Sequence, residues 1–494
     1  MPGYPRPRTV RPLPLSNLGA STGEALVTGV THASAEVQPG DLYAALPGAR
    51  RHGAEFVAEA ARAGARAVLT DPAGAPAAAG AGLPALVVPD PRAELGGIAA
   101  RIYGDPTARL TVIGITGTAG KTSTAYLVES GLRAAGHRTA LIGTVETRLG
   151  ETVLDSVRTT PEATDLQALF AVALERGITS VVMEVSSHAL ALGRASGTRF
   201  AVGAFTNVGV DHLDFHGTAA DYFAAKALLF DGRCAAEVVN ADDPALAGLC
   251  RPATVTVSAA GDQDATWYAV GVHGGVEGTR FTAVGPDGVR LDSAVAIPGR
   301  HNLANAMLAL GCLVAAGIDA GVAAKGIAAC PGVPGRLERV SAPGPVAGFV
   351  DFAHTPDAVA AALRALREVT VGRLICVLGA GGDRDRGKRP MMGEAAAQGA
   401  ELVIVTDDNP RTEDPARIRA AVLAGVVAHS GSAVEVPGRR DAIGAAVARA
   451  RPGDVVAVLG KGHERTQEIG AQVTPFDDRA ELAAALTARF GGDA

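Results

Sequence analysis

Short apolar runs recur along this chain and end at polar or glycine-rich segments. The runs at residues 110–116, 180–185 and 200–206 have the length and the continuous apolar character of strands that are buried on both faces of a parallel sheet. A helical pattern at residues 122–135 follows the first of them. This alternation predicts an α/β fold, in which ligands bind at the carboxyl ends of the strands.

The same pattern divides the chain into three parts. Residues 1 to about 15 are expected to be a tail, and strands at 67–70 and 85–88 with a helix near 54–63 predict a small first domain. A segment rich in proline and glycine at 331–335 precedes the last part. That part is expected to contain strands at 346–350, 374–378, 402–406 and 455–459 and helices that begin at Pro356 and Pro415. We therefore predict a first domain at 1–107, a central P-loop ATPase-like parallel sheet at 108–333 and a Rossmann-like sheet at 334–494.

The composition is that of a globular protein. Of the 494 residues, 48% are hydrophobic and 19% are charged, and the formal net charge is −6. The hydrophobic fraction excludes a disordered chain, and the mild acidity argues against a surface that binds nucleic acid or anionic membranes. No run of about 18 strongly apolar residues occurs in the sequence. We expect a monomer that acts on small molecules, with neither nucleic acid nor a membrane as a partner.

The cysteines and the N-terminus indicate the compartment. The five cysteines lie far apart and form no C-x-x-C pair, which favours reduced thiols over a zinc site or a disulfide framework. The N-terminal segment is basic and rich in proline, and it lacks the apolar core of a signal peptide. These features predict a soluble cytoplasmic protein.

A glycine-rich turn joins the strand at 110–116 to the following helix. It consists of Thr116, Gly117, Thr118, Ala119, Gly120, Lys121, Thr122 and Ser123. Glycines allow backbone N–H groups to surround a polyphosphate, and the helix N-terminus favours its negative charge. Lys121 is expected to contact the β- and γ-phosphates, and the Thr122 hydroxyl to ligate Mg²⁺. Ile115 stands where the strict P-loop pattern has its first glycine, and no guanine-reading N-K-x-D segment is present. The turn predicts a nucleoside triphosphate site.

Lysine is rare in this chain, which has five lysines and forty arginines. Lys121, Lys226, Lys388 and Lys461 lie in motif-like segments, and only Lys325 lies in an ordinary helical stretch. Lysine can lose its proton, whereas arginine cannot. We therefore expect these four positions to require an ammonium group or a titratable amine, with chance placement as the alternative.

A series of distinctive segments extends from residue 116 to residue 464. It comprises T-G-T-A-G-K-T-S (116–123), T-T-P-E (159–162), M-E-V-S-S-H (183–188), F-T-N-V-G-V-D-H-L-D-F-H-G (205–217), A-K-A-L-L-F (225–230), G-R-H-N-L-A-N-A (299–306), P-G-R-L-E (334–338), V-D-F-A-H-T-P-D (350–357), G-G-D-R-D-R-G-K-R-P (381–390), D-D-N-P-R-T-E-D-P (407–415) and G-K-G-H-E (460–464). In this order the segments resemble the Mur ligases, the ATP-dependent amide-forming enzymes of bacterial cell-wall synthesis.

The resemblance implies an activity and its substrates. Mur ligases phosphorylate a carboxylate with ATP, and the amine of the next building block then attacks the acyl phosphate. The segments match best those members that add meso-diaminopimelate to the D-Glu γ-carboxylate of UDP-N-acetylmuramoyl-L-Ala-D-Glu. The three predicted domains would then bind the UDP-muramyl dipeptide, ATP with Mg²⁺, and diaminopimelate in chain order, and would close around them.

The resemblance implies four catalytic residues, Lys121, Glu184, His212 and Lys226. Glu184 would join Thr122 around Mg²⁺, His212 would ligate a second Mg²⁺, and Lys226 would take part as a carbamate. Addition of CO₂ to a neutral lysine turns a cation into an anion, which fits the retention of lysine at this position. The alternatives are an ion-paired or helix-capping Glu184, a structural His212 and a lysine at a helix surface.

Nucleotide and dipeptide contacts are implied in the same way. Besides the phosphate loop at 117–123, ATP is expected to contact Asn302, Arg336 and His354. The UDP-muramyl dipeptide is expected to contact Ser34, Thr159, Thr160, Ser186 and Arg194. Two departures from the family pattern are alanines on both sides of Ser34 and a leucine at 192, where some members have glutamine.

The resemblance also implies an amino-acid site. Its residues are Arg384, Asp408, Asn409, Pro410, Arg411, Gly460 and Glu464. Diaminopimelate differs from lysine by a distal carboxylate, which the Arg411 guanidinium can bind through two parallel hydrogen bonds. Glu464 suits the distal ammonium group. The alternative for Arg411 is an ion pair with Glu413 or Asp414.

Three other functions are open. They are a lysine-adding Mur ligase, a folylpolyglutamate synthetase relative and a non-catalytic ATP-binding protein. The N-terminal domain and Arg411 argue against the first two. Mur ligases that add lysine generally lack this arginine. The third is disfavoured because Lys121, Glu184, His212 and Lys226 are all present.

Overall fold

The computed structural model describes residues 4–19, 24–429 and 431–491. The chain forms two compact units, of which the first comprises residues 1–268 and 307–326 and the second residues 269–306 and 327–494. Both contain sheets that are mainly parallel and helices that connect the strands, so the predicted α/β class is confirmed. Three elements run from one unit into the other: Trp267–Gly275, Arg300–Ala315 and Ala320–Ala328.

A small parallel sheet forms the N-terminal part of the first unit. Its strands, in sheet order, are Gly29–Thr31, Asp41–Ala44, Ala67–Thr70 and Ala85–Val87. The helices of this part are Val57–Ala63, Ala75–Gly80 and Pro91–Ile102. Leu42, Leu69 and Ile98 belong to its buried core. The strands and the helix predicted here from apolar runs are confirmed.

Residues 4–15 contact other parts of the chain, so the expectation of a tail is wrong for these residues. Arg6 Nη1 donates to both carboxylate oxygens of Asp41, at 2.8 and 2.6 Å. The strand Leu13–Pro14 pairs with Leu26–Val27, and the Leu15 side chain is fully buried. The proline-rich sequence does not indicate these contacts, because their partners lie on other parts of the chain.

The large sheet of the first unit places three predicted strands side by side. Its strands, in sheet order, are Thr152–Leu154, Thr147–Leu149, Thr139–Ile142, Ser180–Glu184, Thr111–Thr116, Phe200–Phe205, Cys234–Asn240, Val255–Ser258 and the beginning of Trp267–Gly275. Only the first two pairings are antiparallel. The helices are Lys121–Ala134, Ala163–Glu175, Ser187–Ala191, Leu213–His216 and Ala219–Ala227. The carboxyl ends of the central strands therefore meet at one edge of the sheet.

A second sheet of six strands forms the core of the second unit. In sheet order the strands are Glu338–Val340, Ala347–Asp351, Val455–Leu459, Leu374–Leu378, Leu402–Val405 and Ala433–Glu435. Only the first pairing is antiparallel. The helices are Pro356–Arg367, Lys388–Gly399, Pro415–Ala428, Arg439–Arg449 and Asp478–Phe490. Two hairpins join Gly278–Val284 to Arg290–Val295 and Thr466–Ile469 to Gln472–Pro475.

The structure also gives the short helices, the state of the cysteines and the character of the longer helices. Short 3-10 helices occur at Leu15–Leu18, Ser34–Glu36, Gly53–Phe56, Pro106–Ala108, Leu228–Phe230, Pro244–Leu249 and Pro286–Gly288. All five cysteines are free. Within the described ranges, no helix is long and apolar enough to cross a bilayer. The three predicted domains, 1–107, 108–333 and 334–494, stay a prediction.

Candidate active site

The glycine-rich turn is held by the segment at the end of the neighbouring strand. Asn207 accepts from the turn through two groups, its O from Thr118 N at 2.9 Å and its Oδ1 from Ala119 N at 3.0 Å. Thr206 Oγ1 donates to Ala119 O at 2.6 Å. Gly117 has φ of +135°, and a Cβ there would lie 1.8 Å from Thr206 Oγ1, so only glycine fits. Protein contacts therefore set the conformation of the turn.

Two lysines converge on one carbonyl of this turn. Lys121 Nζ donates to Gly117 O at 2.8 Å and to Thr118 O at 2.9 Å, and Lys226 Nζ donates to Gly117 O at 2.7 Å. Lys226 is only 1% exposed, so the alternative of a lysine at a helix surface is wrong. Its Nζ lies 4.4 Å from the centroid of the Tyr222 ring. Burial, reinforced by the nearby Lys121, lowers the pKa of Lys226 to about 6. The surroundings of Lys226 therefore favour the neutral amine over the ammonium form.

Glu184 ends a buried strand and is held by three donors. Its Oε1 accepts from Thr122 Oγ1 at 3.0 Å and from Thr144 N at 2.8 Å, and its Oε2 accepts from Thr144 Oγ1 at 3.1 Å. A Cβ at Gly143 would lie 2.4 Å from Glu184 Oε1, so glycine permits this approach. The structure thus brings together Thr122 and Glu184, as expected. Thr144 and Gly143 were not predicted, although they follow an apolar strand of the same sheet.

The Thr122 hydroxyl and the Glu184 carboxylate form a donor pair that suits Mg²⁺. This ion takes hard oxygen ligands and is commonly held by one or two carboxylates together with substrate phosphates. In residues 4–19, 24–429 and 431–491, no group of three His, Cys, Asp or Glu side chains could hold a metal ion. At such a site, phosphate oxygens and water molecules supply the remaining ligands.

His212 lies in a cluster of rings. Its ring centroid is 4.6 Å from that of His188 and 6.4 Å from that of Tyr222. Its Nε2 lies 3.5 Å from Asp211 Oδ2. These contacts do not join His212 to Glu184, so the predicted role of His212 as a metal ligand stays a prediction.

Three of the residues predicted to bind the dipeptide surround Glu184. Thr159 Oγ1 lies 3.0 Å from Thr144 Oγ1, which in turn donates to Glu184. Thr160 Oγ1 donates to Glu184 O at 2.9 Å and accepts from Ser186 N at 3.1 Å. Residues predicted from two separate motifs are therefore neighbours in the fold.

Arg194 belongs to a group of three arginines around one carboxylate. Arg194 Nε and Arg158 Nη1 each lie 2.8 Å from Glu162 Oε1, and Arg92 Nη1 lies 3.9 Å from Glu162 Oε2. Burial lowers the pKa of Arg194. The group carries more positive than negative charge and suits an anionic ligand. Sequence motifs indicated only Arg194. Ser34 lies in the 3-10 helix Ser34–Glu36, and its contact with the substrate stays a prediction.

In the second unit, Arg336 and His354 meet at an aromatic ring that was not predicted. The guanidinium carbon of Arg336 lies 4.9 Å from the Phe352 ring centroid, and the His354 ring centroid lies 4.6 Å from it. Asn302 is 3% exposed, and its Oδ1 accepts from Asn305 within the same helix at 3.1 Å. The structure brings two of the three predicted nucleotide contacts of this unit together.

The predicted amino-acid site is compact around Asp408 and Asn409. Both residues are buried. Gly460 has φ of +117°, and a Cβ there would lie 2.5 Å from Asp408 Oδ2, so this position requires glycine. Asn409 Nδ2 donates to Glu464 Oε2 at 2.8 Å. Residues from two distant motifs therefore form one cluster.

Arg411 forms a different ion pair from the expected alternative. Its Nε donates to Glu468 Oε2 at 3.0 Å, so an ion pair with Glu413 or Asp414 is wrong. Glu413 instead pairs with Arg389 at 2.8 Å. The physical reason is that the hairpin beginning at residue 466 runs beside Arg411, whose N–H donates to Glu468 O.

The loop before the helix Lys388–Gly399 borders the same cluster. Arg411 Nη1 donates to Gly382 O at 2.8 Å, and Gly382 N donates to Asn409 O at 2.8 Å. A Cβ at Gly382 would lie 1.8 Å from Pro410 O. Arg384 is exposed on this loop. Its predicted contact with the substrate stays a prediction.

Comparison with known proteins identifies the family. Three family descriptions match the chain: Mur ligase family, catalytic domain, at residues 26–103; Mur ligase middle domain at 115–313; and Mur ligase, glutamate ligase domain, at 335–462. The chain belongs to the Mur ligase family. It is therefore an ATP-dependent ligase, as the motifs implied.

Relatives of this Mur ligase cover it almost completely. A UDP-N-acetylmuramoyl-L-alanyl-D-glutamate--2,6-diaminopimelate ligase of Streptomyces coelicolor is 54% identical and covers 98% of each chain. A UDP-N-acetylmuramyl-tripeptide synthetase of Leifsonia xyli subsp. xyli is 42% identical over 93% of this chain and 91% of the relative. A solved structure of a UDP-N-acetylmuramoyl-L-alanyl-D-glutamate--2,6-diaminopimelate ligase is 31% identical, with a TM-score of 0.73 over 97% of this chain and 99% of the other.

Proposed function

We propose that this Mur ligase joins diaminopimelate to the D-Glu γ-carboxylate of UDP-N-acetylmuramoyl-L-Ala-D-Glu in the cytoplasm, as a step of peptidoglycan precursor synthesis. The observation that carries the proposal is 54% identity over 98% of the chain to a relative with that name. The name of the Leifsonia xyli relative does not specify the added amino acid. The choice of amino acid therefore depends on the residues around Asn409 and Arg411.

The phosphate loop would bind ATP. Lys121 Nζ lies beside two loop carbonyls, within reach of a polyphosphate on the same loop. Thr122 and Glu184 would hold Mg²⁺, which neutralises charge on the phosphates when bound. The three donors to the Glu184 carboxylate keep it oriented without neutralising its negative charge.

The dipeptide would bind beside Glu184. The hydroxyls of Thr159 and Ser186 suit hydrogen bonds to a sugar or a peptide, and Arg194 suits a carboxylate or a phosphate. In the first step an oxygen of the γ-carboxylate attacks the terminal phosphorus of ATP, and ADP leaves. In the second step the amine attacks the carbonyl carbon of the acyl phosphate, loses a proton and expels inorganic phosphate. The roles of these side chains are to position both reacting groups.

Lys226 would act as a carbamate. Its neutral amine attacks the carbon of CO₂ and releases one proton, which leaves a negative carbamate in place of the neutral amine. The new anion would lie close to Lys121, since both amines contact Gly117 O, and it would attract the Lys121 ammonium group. A ¹³C carbamate resonance after equilibration with labelled bicarbonate tests this. Its absence from the unmutated protein would reject the carbamate.

Arg411 would select diaminopimelate. Glu468 and the Gly382 carbonyl hold Nε and Nη1 of its guanidinium, which orients the side chain for the distal carboxylate of the substrate. Lysine has no such carboxylate and would leave the guanidinium without this partner. Glu464 would accept from the distal ammonium group.

Release of ADP by the purified protein tests the function. It should require both UDP-N-acetylmuramoyl-L-Ala-D-Glu and diaminopimelate, and lysine in place of diaminopimelate should lower kcat/KM by about 100-fold. Equal use of lysine would reject the choice of amino acid. ADP release that needs neither the dipeptide nor an amino acid would reject the ligase reaction with these substrates.

A further inference from the structure

Lys461 is a completely buried lysine in the predicted amino-acid site. Its side chain has 0% exposure. Its Nζ donates to Asn409 Oδ1 and to Glu464 Oε2, both at 2.9 Å. It therefore bridges two residues that the proposed function places in contact with diaminopimelate.

The Asn409 amide has only one orientation that satisfies this network. Its Oδ1 accepts from Lys461 Nζ and, at 3.1 Å, from Glu468 N, while its Nδ2 donates to Glu464 Oε2. A flipped amide would face two donors with its own N–H groups and would present an oxygen to a carboxylate. Lys461 thus fixes which group of Asn409 faces Glu464.

The two carboxylate oxygens of Glu464 differ in their hydrogen-bond partners. Lys461 and Asn409 both donate to Oε2, whereas none of the described residues donates to Oε1. The Glu464 side chain is 33% exposed. One oxygen is therefore anchored to the protein, and the other can accept from a ligand.

We propose that Lys461 is a positioning residue for the amino-acid substrate. It holds Glu464 and Asn409 so that Glu464 Oε1 accepts from the distal ammonium group of diaminopimelate, and in this it rests on the proposed function. Arginine could not replace it, because five guanidinium donors in this buried space would meet two acceptors and leave the others unsatisfied. This accounts for a lysine here in a chain with forty arginines.

Substitution of Lys461 by methionine tests the proposal. Lys461→Met should raise the KM for diaminopimelate by about 10- to 100-fold, as expected for loss of a charged hydrogen bond, with the KM for ATP and for the dipeptide within about twofold. Lys325→Met, at an exposed helical position, is the matched control. Equal rises in all three KM values would overturn the proposal.

A second comparison remains informative if Lys461→Met does not fold. Glu464→Met and the double variant Lys461→Met/Glu464→Met should have the same KM for diaminopimelate within about twofold, because Lys461 acts through Glu464. The double variant leaves no buried ion without its partner. A further tenfold rise in the double variant would overturn the proposal. Failure of the proposed function is distinguishable, since the unmutated protein would then release no ADP in response to diaminopimelate.

Discussion

A buried lysine lies in each unit, and the two differ in their partners. Lys226 donates to a neutral acceptor, Gly117 O, and burial lowers its pKa to about 6. Lys461 is as deeply buried, but its Nζ lies 2.9 Å from the Glu464 carboxylate. Both lysine side chains are shielded from solvent. The presence or absence of a neighbouring carboxylate therefore decides whether the amine suits an ion pair or a reaction with CO₂. Burial by itself does not set the role of a lysine.

The carboxylates of Glu184 and Glu464 also differ in the charge of their hydrogen-bond donors. Glu184 is held by the hydroxyl of Thr122 and by the N–H and the hydroxyl of Thr144, which are all neutral donors. Glu464 is held by the cation Lys461 and by an amide. The negative charge of Glu184 is thus available to a metal ion, whereas much of the charge of Glu464 is compensated within the protein. The first arrangement suits phosphoryl transfer, and the second suits recognition of a small zwitterion.

Lys226→Arg is expected to have the largest effect. Arginine is always positively charged and cannot form a carbamate, so turnover should fall by about 1,000-fold. ADP release with all three substrates at saturation measures this. Lys325→Arg is the matched control and should stay within about twofold of the unmutated enzyme. Normal turnover of Lys226→Arg would mean that Lys226 serves only as a cation, as Lys461 does.

Arg411→Ala should lower kcat/KM for diaminopimelate by about 100-fold, because the distal carboxylate loses its paired hydrogen bonds. The KM for ATP should change by less than about threefold, since the phosphate loop is untouched. Initial rates at varied diaminopimelate and varied ATP separate the two effects. Arg417→Ala is the control, because the Arg417 side chain is 87% exposed. Parallel losses for both substrates would show that Arg411 supports the fold and not the substrate.

Thr144→Val tests whether neutral donors are essential to Glu184. Valine keeps the shape of threonine but removes the hydroxyl that donates to Glu184 Oε2 at 3.1 Å. We expect kcat to fall by about tenfold, the cost of one hydrogen bond to a charged group. Thr152→Val, at an exposed strand position, is the control. An unchanged kcat would mean that the backbone N–H of residue 144 and Thr122 suffice.

Asp165→Asn should have the smallest effect, on stability alone. Burial, with the nearby carboxylates of Glu36 and Glu162, raises the pKa of Asp165 to about 6. The folded protein therefore binds more protons at this site than the unfolded chain between pH 4 and 6, so stability falls as pH rises through that window and stays lower above it. Asparagine has no titratable proton, so the variant should not lose stability through this group.

Chemical unfolding at two pH values measures the effect of Asp165→Asn. The free energy of unfolding should rise by roughly 1–3 kcal/mol at pH 8 and should hardly change at pH 4. Asp155→Asn, at an exposed position, should show no such difference. A gain of equal size at both pH values would contradict the assigned charge state of Asp165.

Much of the fold could be predicted from local pattern. The strands Leu374–Leu378 and Val455–Leu459 begin and end at the predicted residues, and the helix Pro356–Arg367 begins at the predicted proline. Continuous apolar runs and a proline at the first helical turn are strong local signals. The packed N-terminal segment could not be predicted. Its stability comes from contacts such as Arg6 with Asp41, which are 35 residues apart.

The candidate site divides in the same way. The motif residues Thr122 and Glu184 were predicted to act together, and the structure joins them at 3.0 Å. The alternative ion pair of Arg411 with Glu413 or Asp414 was wrong, because its partner Glu468 lies 57 residues away along the chain and no local pattern connects the two. Thr144 was missed, since a single threonine after a strand carries little signal.

The sequence by itself determined the α/β class, the phosphate loop, the Mur ligase motifs and the scarcity of lysine. These features depend on neighbouring residues or on the order of motifs along the chain, so they can be identified from composition and spacing. Only the tertiary structure decided what each buried charge meets: a carbonyl for Lys226, a carboxylate for Lys461, and hydroxyls for Glu184. The physical reason is that the energy of a buried charge depends on the groups within a few ångströms of it, and strands from distant parts of the chain supply those groups.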